Sequence, residues 1–184
     1  IDSNKNEKFD NFNESLKLLK KESLKHSMDL IKSDLKQLGI EHDNFFSETE
    51  LIENKLVDKA VNHLKKNNYV QEGYLEPPKG ETDKTWKKTK RLIFKSTLFG
   101  DDTDRAMQKN DGSWTYFAND VGYHMDKINR NYEYLIDVLG ADHTGYVKRI
   151  TAAVSALSEN KVKLNCKVCQ LVKLYKDGKP FKMS

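Results

Sequence analysis

Tyr134-Leu135-Ile136-Asp137-Val138-Leu139-Gly140-Ala141-Asp142-His143-Thr144-Gly145 is the stretch whose reading decides the fold of this chain. Its first six residues form a mostly apolar run of strand length, the kind that a parallel sheet buries on both faces. Downstream of it, Val147, Ile150, Val154 and Leu157 recur at helical spacing, and Val162 to Leu174 reads as a second strand that alternates loosely before an Asp177-Gly178 turn. Upstream, Phe117 to Asn129 reads as a helix with Phe117, Val121, Met125 and Ile128 inward. Helix, strand, helix, strand predicts parallel pairing and an α/β fold built on a doubly wound sheet. Gly140 to Gly145 then lies at the carboxyl end of the sheet, where open α/β sheets bind ligands. Helix N-terminal amides there attract anions.

Further toward the N-terminus the pattern changes. Residues 1–13 are polar and rich in Asn and Lys, and read as a frayed lead-in. Over residues 14–48, Leu24, Met28, Ile31, Leu35 and Leu38 recur at spacings of 4, 3, 4 and 3 and mark one stripe of a helix. Gly39 ends it, because glycine readily takes the left-handed conformation just past a helix end. Ile40 to Glu48 is expected to be extended, weighted by Phe45 and Phe46. Residues 49–113 have another character. A helix is expected from about Glu50 to Lys66, with Ile52, Leu56, Ala60, Val61 and Leu64 inward. Pro77-Pro78, Lys/Thr/Trp-rich runs and an Asp111-Gly112 turn follow, and turn pairs between β-prone stretches suggest a small antiparallel meander. The change of rhythm argues for an insertion set into a larger α/β body, whose second half is 114–184.

Composition excludes little. One third of the 184 residues are charged, yet 32 basic against 28 acidic side chains leave a net charge of only +4. This balance reports a solvated surface and decides little about partners. No apolar run approaches the roughly 20 residues that span a bilayer, and no signal-peptide pattern opens the chain, so the cytoplasm is the expected compartment. Two cysteines make no disulfide framework. Cys166 and Cys169 look like half a zinc site. On a strand, however, that spacing sends the sulfurs to opposite faces, so buried structural thiols are the preferred reading and no metal is expected.

Several residues carry candidate chemistry. Tyr116 and Asp120 are four apart and share a helix face offset from the apolar stripe. A carboxylate beneath an aromatic ring suits a guanidinium, although an acidic residue in a first helical turn needs no ligand to explain it. Asp142 has a plain reading as a helix N-cap and His143 as a polar turn residue. Ser47-Glu48 reads as a strand end leading into a helix, with Ser47 or Thr49 as cap. His124, one turn after Asp120, either borders a pocket or packs. The basic run from Lys84 to Arg91, including Lys87 and Lys88, suits a nucleic-acid backbone or a solvated hairpin edge.

Taken in order, Ser47-Glu48, Thr115 to Val121, Gly140 to Gly145 and the terminal Lys182-Met183-Ser184 resemble the second half of a class I aminoacyl-tRNA synthetase active site, and arginyl-tRNA synthetases in particular. The resemblance runs from about Ser15 to Ser184. It implies that Glu48, Tyr116 and Asp120 hold the arginine side chain. Asp142, His143, Thr144, Gly145 and Met183 would contact ATP or the adenylate, with Thr144 where many relatives carry a second His. Lys182 and Ser184 open the mobile Lys-Met-Ser-Lys loop that stabilises the departing pyrophosphate. The implied substrates are arginine, ATP with Mg, and the tRNA for arginine. The family also carries a His-Ile-Gly-His segment absent here, and the chain has neither an initiator Met nor the loop's second lysine. It is therefore expected to be an excerpt, inactive alone and prone to self-association through an unpaired sheet edge. Two other classes remain: another adenylate-forming nucleotidyltransferase on the same scaffold, and a basic RNA-binding module built on residues 69–114.

Overall fold

The computed structural model describes residues 11–75 and 89–181. Lys182, Met183, Ser184, Pro77-Pro78 and most of the basic run, Lys84 to Lys88, lie outside them. The chain divides into two compact units between Phe46 and Ser47.

The first unit is dominated by helix α1 (Phe12–Gln37). Asn11 caps its start by accepting from the Asn13 amide at 2.9 Å. At its end Gly39, at φ +74°, lets the Ile40 amide donate to the Leu35 carbonyl at 2.9 Å and its own amide donate to Lys36 at 3.0 Å. These two bonds are the Schellman closure anticipated from the glycine. No α1 residue is buried, and Leu24 and Ile31 of the expected stripe are exposed. Ile40 to Phe46 joins no strand, a correction to the extended-strand expectation. Its aromatic weight is satisfied locally, with Lys32 Nζ 4.9 Å from the Phe45 ring and His42 beside it.

In the second unit, the helix expected from Glu50 to Lys66 is two helices, α2 (Glu48–Glu53) and α3 (Leu56–Lys66). Lys55, at φ 51°, breaks them. Leu51 and Val57 are both buried, yet six residues apart they would sit about 120° around one continuous helix. Rephasing at Lys55 turns both inward and leaves Ile52 exposed rather than inward. Strands β1 (Val70–Gly73), β2 (Arg91–Phe94) and β3 (Arg105–Ala106) form the expected antiparallel meander, with Val70 opposite Phe94 and Phe94 opposite Arg105.

Helix α4 (Tyr116–Asn129) follows, capped by the Thr115 hydroxyl, which accepts from the Ala118 amide at 3.2 Å. Gly122 admits the backbone of Val57, and a Cβ there would stand 3.0 Å from the Val57 nitrogen. That close approach locks α4 onto α3. Strand β4 (Tyr134–Gly140) pairs in parallel with β5 (Lys163–Cys169), Tyr134 opposite Lys163 and Gly140 opposite Cys169, through the crossover helix α5 (Val147–Ser158). The expected βαβ unit is therefore present, within a mixed α/β body. β5 ends at Cys169 rather than continuing to Leu174. Leu174 belongs to a separate hairpin, β6 (Leu174–Lys176) with β7 (Lys179–Phe181), turned by Asp177 at φ 52° and Gly178 at φ 71°. Two successive positive φ values match the twist that short hairpins require.

One core joins the meander to the βαβ half. Phe94 is fully buried and stacks with Phe99 and Phe117 at 6.2 and 6.1 Å, alongside Leu64, Val61, Met107, Ile150 and Val154. Burying each such side chain contributes about 1.5–3 kcal/mol. Within this chain strand β4 is covered on one face. Leu135 is buried, whereas Ile136 and Val138 are 58% and 70% exposed. Within the second unit, α4 and α5 pack against the face that carries Leu135 and Asp137. Cys166 is half-buried and Cys169 exposed, which corrects the reading of both as buried thiols.

Candidate active site

The carboxyl end of β4 leads into a 3-10 turn, Ala141–Tyr146, which runs straight into α5. At the corner the Asp142 carboxylate folds back over Gly140, its Oδ1 2.5 Å from where a Cβ would stand, a place that the exposed side chain would leave if one were there. Asp142 and His143 both project outward, Oδ2 and Nε2 3.4 Å apart. Asp142 does not cap α5: the cap position is Tyr146, and no side chain bonds there. Thr144 closes the turn by donating to the Ala141 carbonyl at 2.6 Å. Gly145 is exposed.

Beside this turn lies a cavity of about 460 Å³, lined by α4, β4 and the start of α5, with Asp120, His124, Lys127, Asp137, His143 and Tyr146 in its wall. Its size falls within the usual range for small-molecule sites. Asp120 is half-buried, and Tyr146 donates its phenol hydroxyl to Asp120 Oδ2. Among the described residues no cationic side chain pairs with Asp120. A sheltered carboxylate facing a cavity without a charge partner is the arrangement that a cationic ligand completes.

Below it, the wall is braced by a network that the sequence reading did not find. His124, buried, directs Nδ1 at the Asp120 carbonyl at 2.8 Å and Nε2 at Asp137 Oδ2 at 2.9 Å. Lys127 donates to Asp137 Oδ1 at 2.7 Å. Both imidazole nitrogens face oxygen acceptors, and a neutral ring has only one N–H for the two contacts. Burial pushes the Asp137 carboxyl up, but hydrogen bonds and charge from His124 and Lys127 outweigh it and hold the group at about 2. Burial, then the Asp120 carboxylate, pushes the Tyr146 phenol well above its usual range, so it stays a neutral donor. Arg149 lies 5.3 Å from the Tyr146 ring, lowered by burial and by Arg105.

Of the residues expected to hold the arginine side chain, only Asp120 lines this cavity. Tyr116, the first residue of α4, is 81% exposed with Lys109 Nζ 5.7 Å from its ring. Glu48 is exposed in the first turn of α2, where Ser47 supplies the expected cap to the Thr49 amide at 3.2 Å. The expected convergence of Glu48, Tyr116 and Asp120 on one cavity is thus not present. Of the adenylate residues, His143 reaches the cavity, while Asp142, Thr144 and Gly145 stand on the adjoining turn. His124 borders the pocket and packs as well. No group of three His, Cys, Asp or Glu side chains among the described residues could hold a metal, and no described helix is long and apolar enough to cross a membrane. A sequence signal for the missed network existed: Asp137 is a carboxylate inside an apolar strand, in phase with Leu135 and Leu139, and such a group needs partners.

No protein-family model matches the chain. Over all 184 residues it is 58% identical to the arginine–tRNA ligase of Pelagibacter ubique, covering 32% of that protein. Over 157 residues, 85% of the chain, it is 55% identical to the arginine–tRNA ligase of Roseobacter denitrificans, covering 27% of it. Among solved structures, a crystal structure described as an arginyl-tRNA synthetase from Campylobacter jejuni matches with TM-score 0.67 and 32% identity, over 85% of this chain and 31% of that one. The chain spans about a third of the length of the relatives it matches.

Proposed function

From the homology of this chain to about a third of an arginine–tRNA ligase, we propose that the protein carrying it activates arginine with ATP and transfers it to its tRNA in the cytoplasm. The arginine carboxylate attacks the α-phosphorus, pyrophosphate leaves, and a ribose hydroxyl of the tRNA then displaces AMP from the mixed anhydride. ATP enters as its Mg complex, as a substrate rather than a resident cofactor.

Asp120 takes the substrate guanidinium from within the cavity. Tyr116 and Glu48, at the starts of α4 and α2, lie outside this cavity, so the guanidinium reading rests on Asp120 alone. A carboxylate that can accept two parallel N–H bonds suits a planar five-donor cation better than a compact ammonium. Asp142, His143, Thr144 and Gly145 receive the adenylate at the carboxyl end of the parallel pair, the place where open α/β sheets bind nucleotides. Lys182 and Ser184, with Met183, act on the pyrophosphate as charge builds on it. The parallel pair belongs to a doubly wound sheet into which residues 49–113 are inserted.

The observation that carries this reading is the half-buried Asp120 carboxylate, which faces the cavity and is bonded by Tyr146 but by no described cation. In the full-length protein Asp120→Asn should raise the arginine KM on the order of a hundredfold, the size of a lost charge-assisted hydrogen bond, with the ATP KM nearly unchanged. An unaltered arginine KM would remove Asp120 from the substrate and favour another adenylate-forming enzyme on this scaffold.

A further inference from the structure

We propose that Tyr146 is a positioning and specificity residue, whose hydroxyl fixes the plane of the Asp120 carboxylate for a guanidinium and ties the adenylate turn to the arginine subsite. The inference rests on the reading of Asp120 given above.

Tyr146 closes the Ala141–Tyr146 turn and stands at the N-cap of α5, but its side chain caps nothing. The hydroxyl instead crosses to α4 and donates to Asp120 Oδ2. The ring is held for this purpose. Phe117 meets it edge-on at 6.4 Å, and the Arg149 guanidinium covers it at 5.3 Å. The tyrosine therefore arrives already oriented.

An aspartate carboxyl rotates broadly about its last torsion, so packing of the helix alone does not set its plane. An ionised carboxylate offers about four lone-pair sites. Tyr146 occupies one on Oδ2, which pins the plane and leaves Oδ1 and the other Oδ2 site for the ligand. A guanidinium donates two parallel N–H bonds in a fixed fork and needs that plane aligned, whereas an ammonium donates from a rotating point charge and does not. Loss of the Tyr146 hydroxyl should then weaken arginine more than lysine. Because Tyr146 directly follows Gly145, the same bond joins the residues assigned to the adenylate to the residue assigned to the guanidinium.

The test is Tyr146→Phe in the full-length protein, which keeps the ring packed between Phe117 and Arg149. Aminoacylation kinetics would be measured for arginine and ATP, with L-lysine as a competitive inhibitor. The expected result is an arginine KM raised about tenfold, near the low end for a hydrogen bond to a charged group, with kcat and the ATP KM within about twofold. The lysine inhibition constant should be unchanged, so that discrimination against lysine falls by the same factor. A uniform loss across kcat, both KM values and the lysine constant would mark a merely structural residue and overturn the proposal. So would an unchanged arginine KM in a background where Asp120→Asn raises it. If Asp120→Asn is also silent, the arginine-subsite reading itself fails, a result separable from the first.

Discussion

The two faces of β4 differ in what covers them within this chain. Tyr134, Ile136 and Val138 are apolar or aromatic and stand open, while the covered face carries Asp137 between Leu135 and Leu139. A strand alternates its side chains with period two, so both faces come from the same seven residues under the same backbone. What differs is the neighbourhood. The covered face meets α4, which presents His124 and Lys127 three residues apart toward one carboxylate. A buried charge is tolerated when paired and hydrogen-bonded on both oxygens, and is costly otherwise. Within this chain, the helices it supplies itself decide which side chains of the strand are sheltered.

That comparison is most strongly challenged by Asp137→Ala. Removing the carboxylate takes from His124 Nε2 and the Lys127 ammonium the oxygens they face, while His124 Nδ1 keeps the Asp120 carbonyl, and urea unfolding should show a loss of about 3 kcal/mol, the lower end for a broken buried pair. A loss below about 1 kcal/mol would mean that the network is decorative. Next in size is the contrast of Leu135→Ala with Ile136→Ala. The first empties a buried site and should cost about 2–4 kcal/mol; the second, one residue away on the open face, should cost within about 0.5 kcal/mol. Equal losses would show that the outer face is covered after all.

The smallest effect is in acid. Asp137 has a native-state value of about 2, below its ordinary 3.8. A lowered carboxylate contributes stability that is fully present above its unfolded value and lost as pH falls through the folded one. The protein should therefore lose stability between about pH 4 and pH 2, and Asp137→Asn should flatten that part of the profile. An unchanged acid limb in the variant would assign the acid sensitivity to other carboxylates, first among them Asp101, buried beside Arg105 and Ser96 and likewise lowered.

Much of this was legible in one dimension. Six apolar-rich residues, a glycine turn and a helical repeat were enough to place β4, α5 and β5 in a parallel crossover, because their spacing is local. Gly39 and Asp177-Gly178 likewise announce a helix end and a turn, since each acts within a few residues. Asp120 and His143 were singled out by motif and resemblance, and both line the same cavity. The break at Lys55 was not, because the apolar pattern of Glu50 to Lys66 reads as one helix until Leu51 and Val57 must reach the same core. Phe45 and Phe46 suggested an extended segment, but among the described residues no strand forms over Ile40 to Phe46.

The amino-acid order by itself determined the local elements and the chemical character of the site: a turn at a strand's carboxyl end, an acidic residue on a helix face, a stray carboxylate in an apolar run. Only the tertiary structure decided which of these meet. Tyr146 reaches Asp120 across 26 residues, and His124 and Lys127 reach Asp137 across 13 and 10. Contacts at such separations depend on how α4 and α5 pack on β4, and that packing follows from the shape of the shared core, which no local pattern encodes.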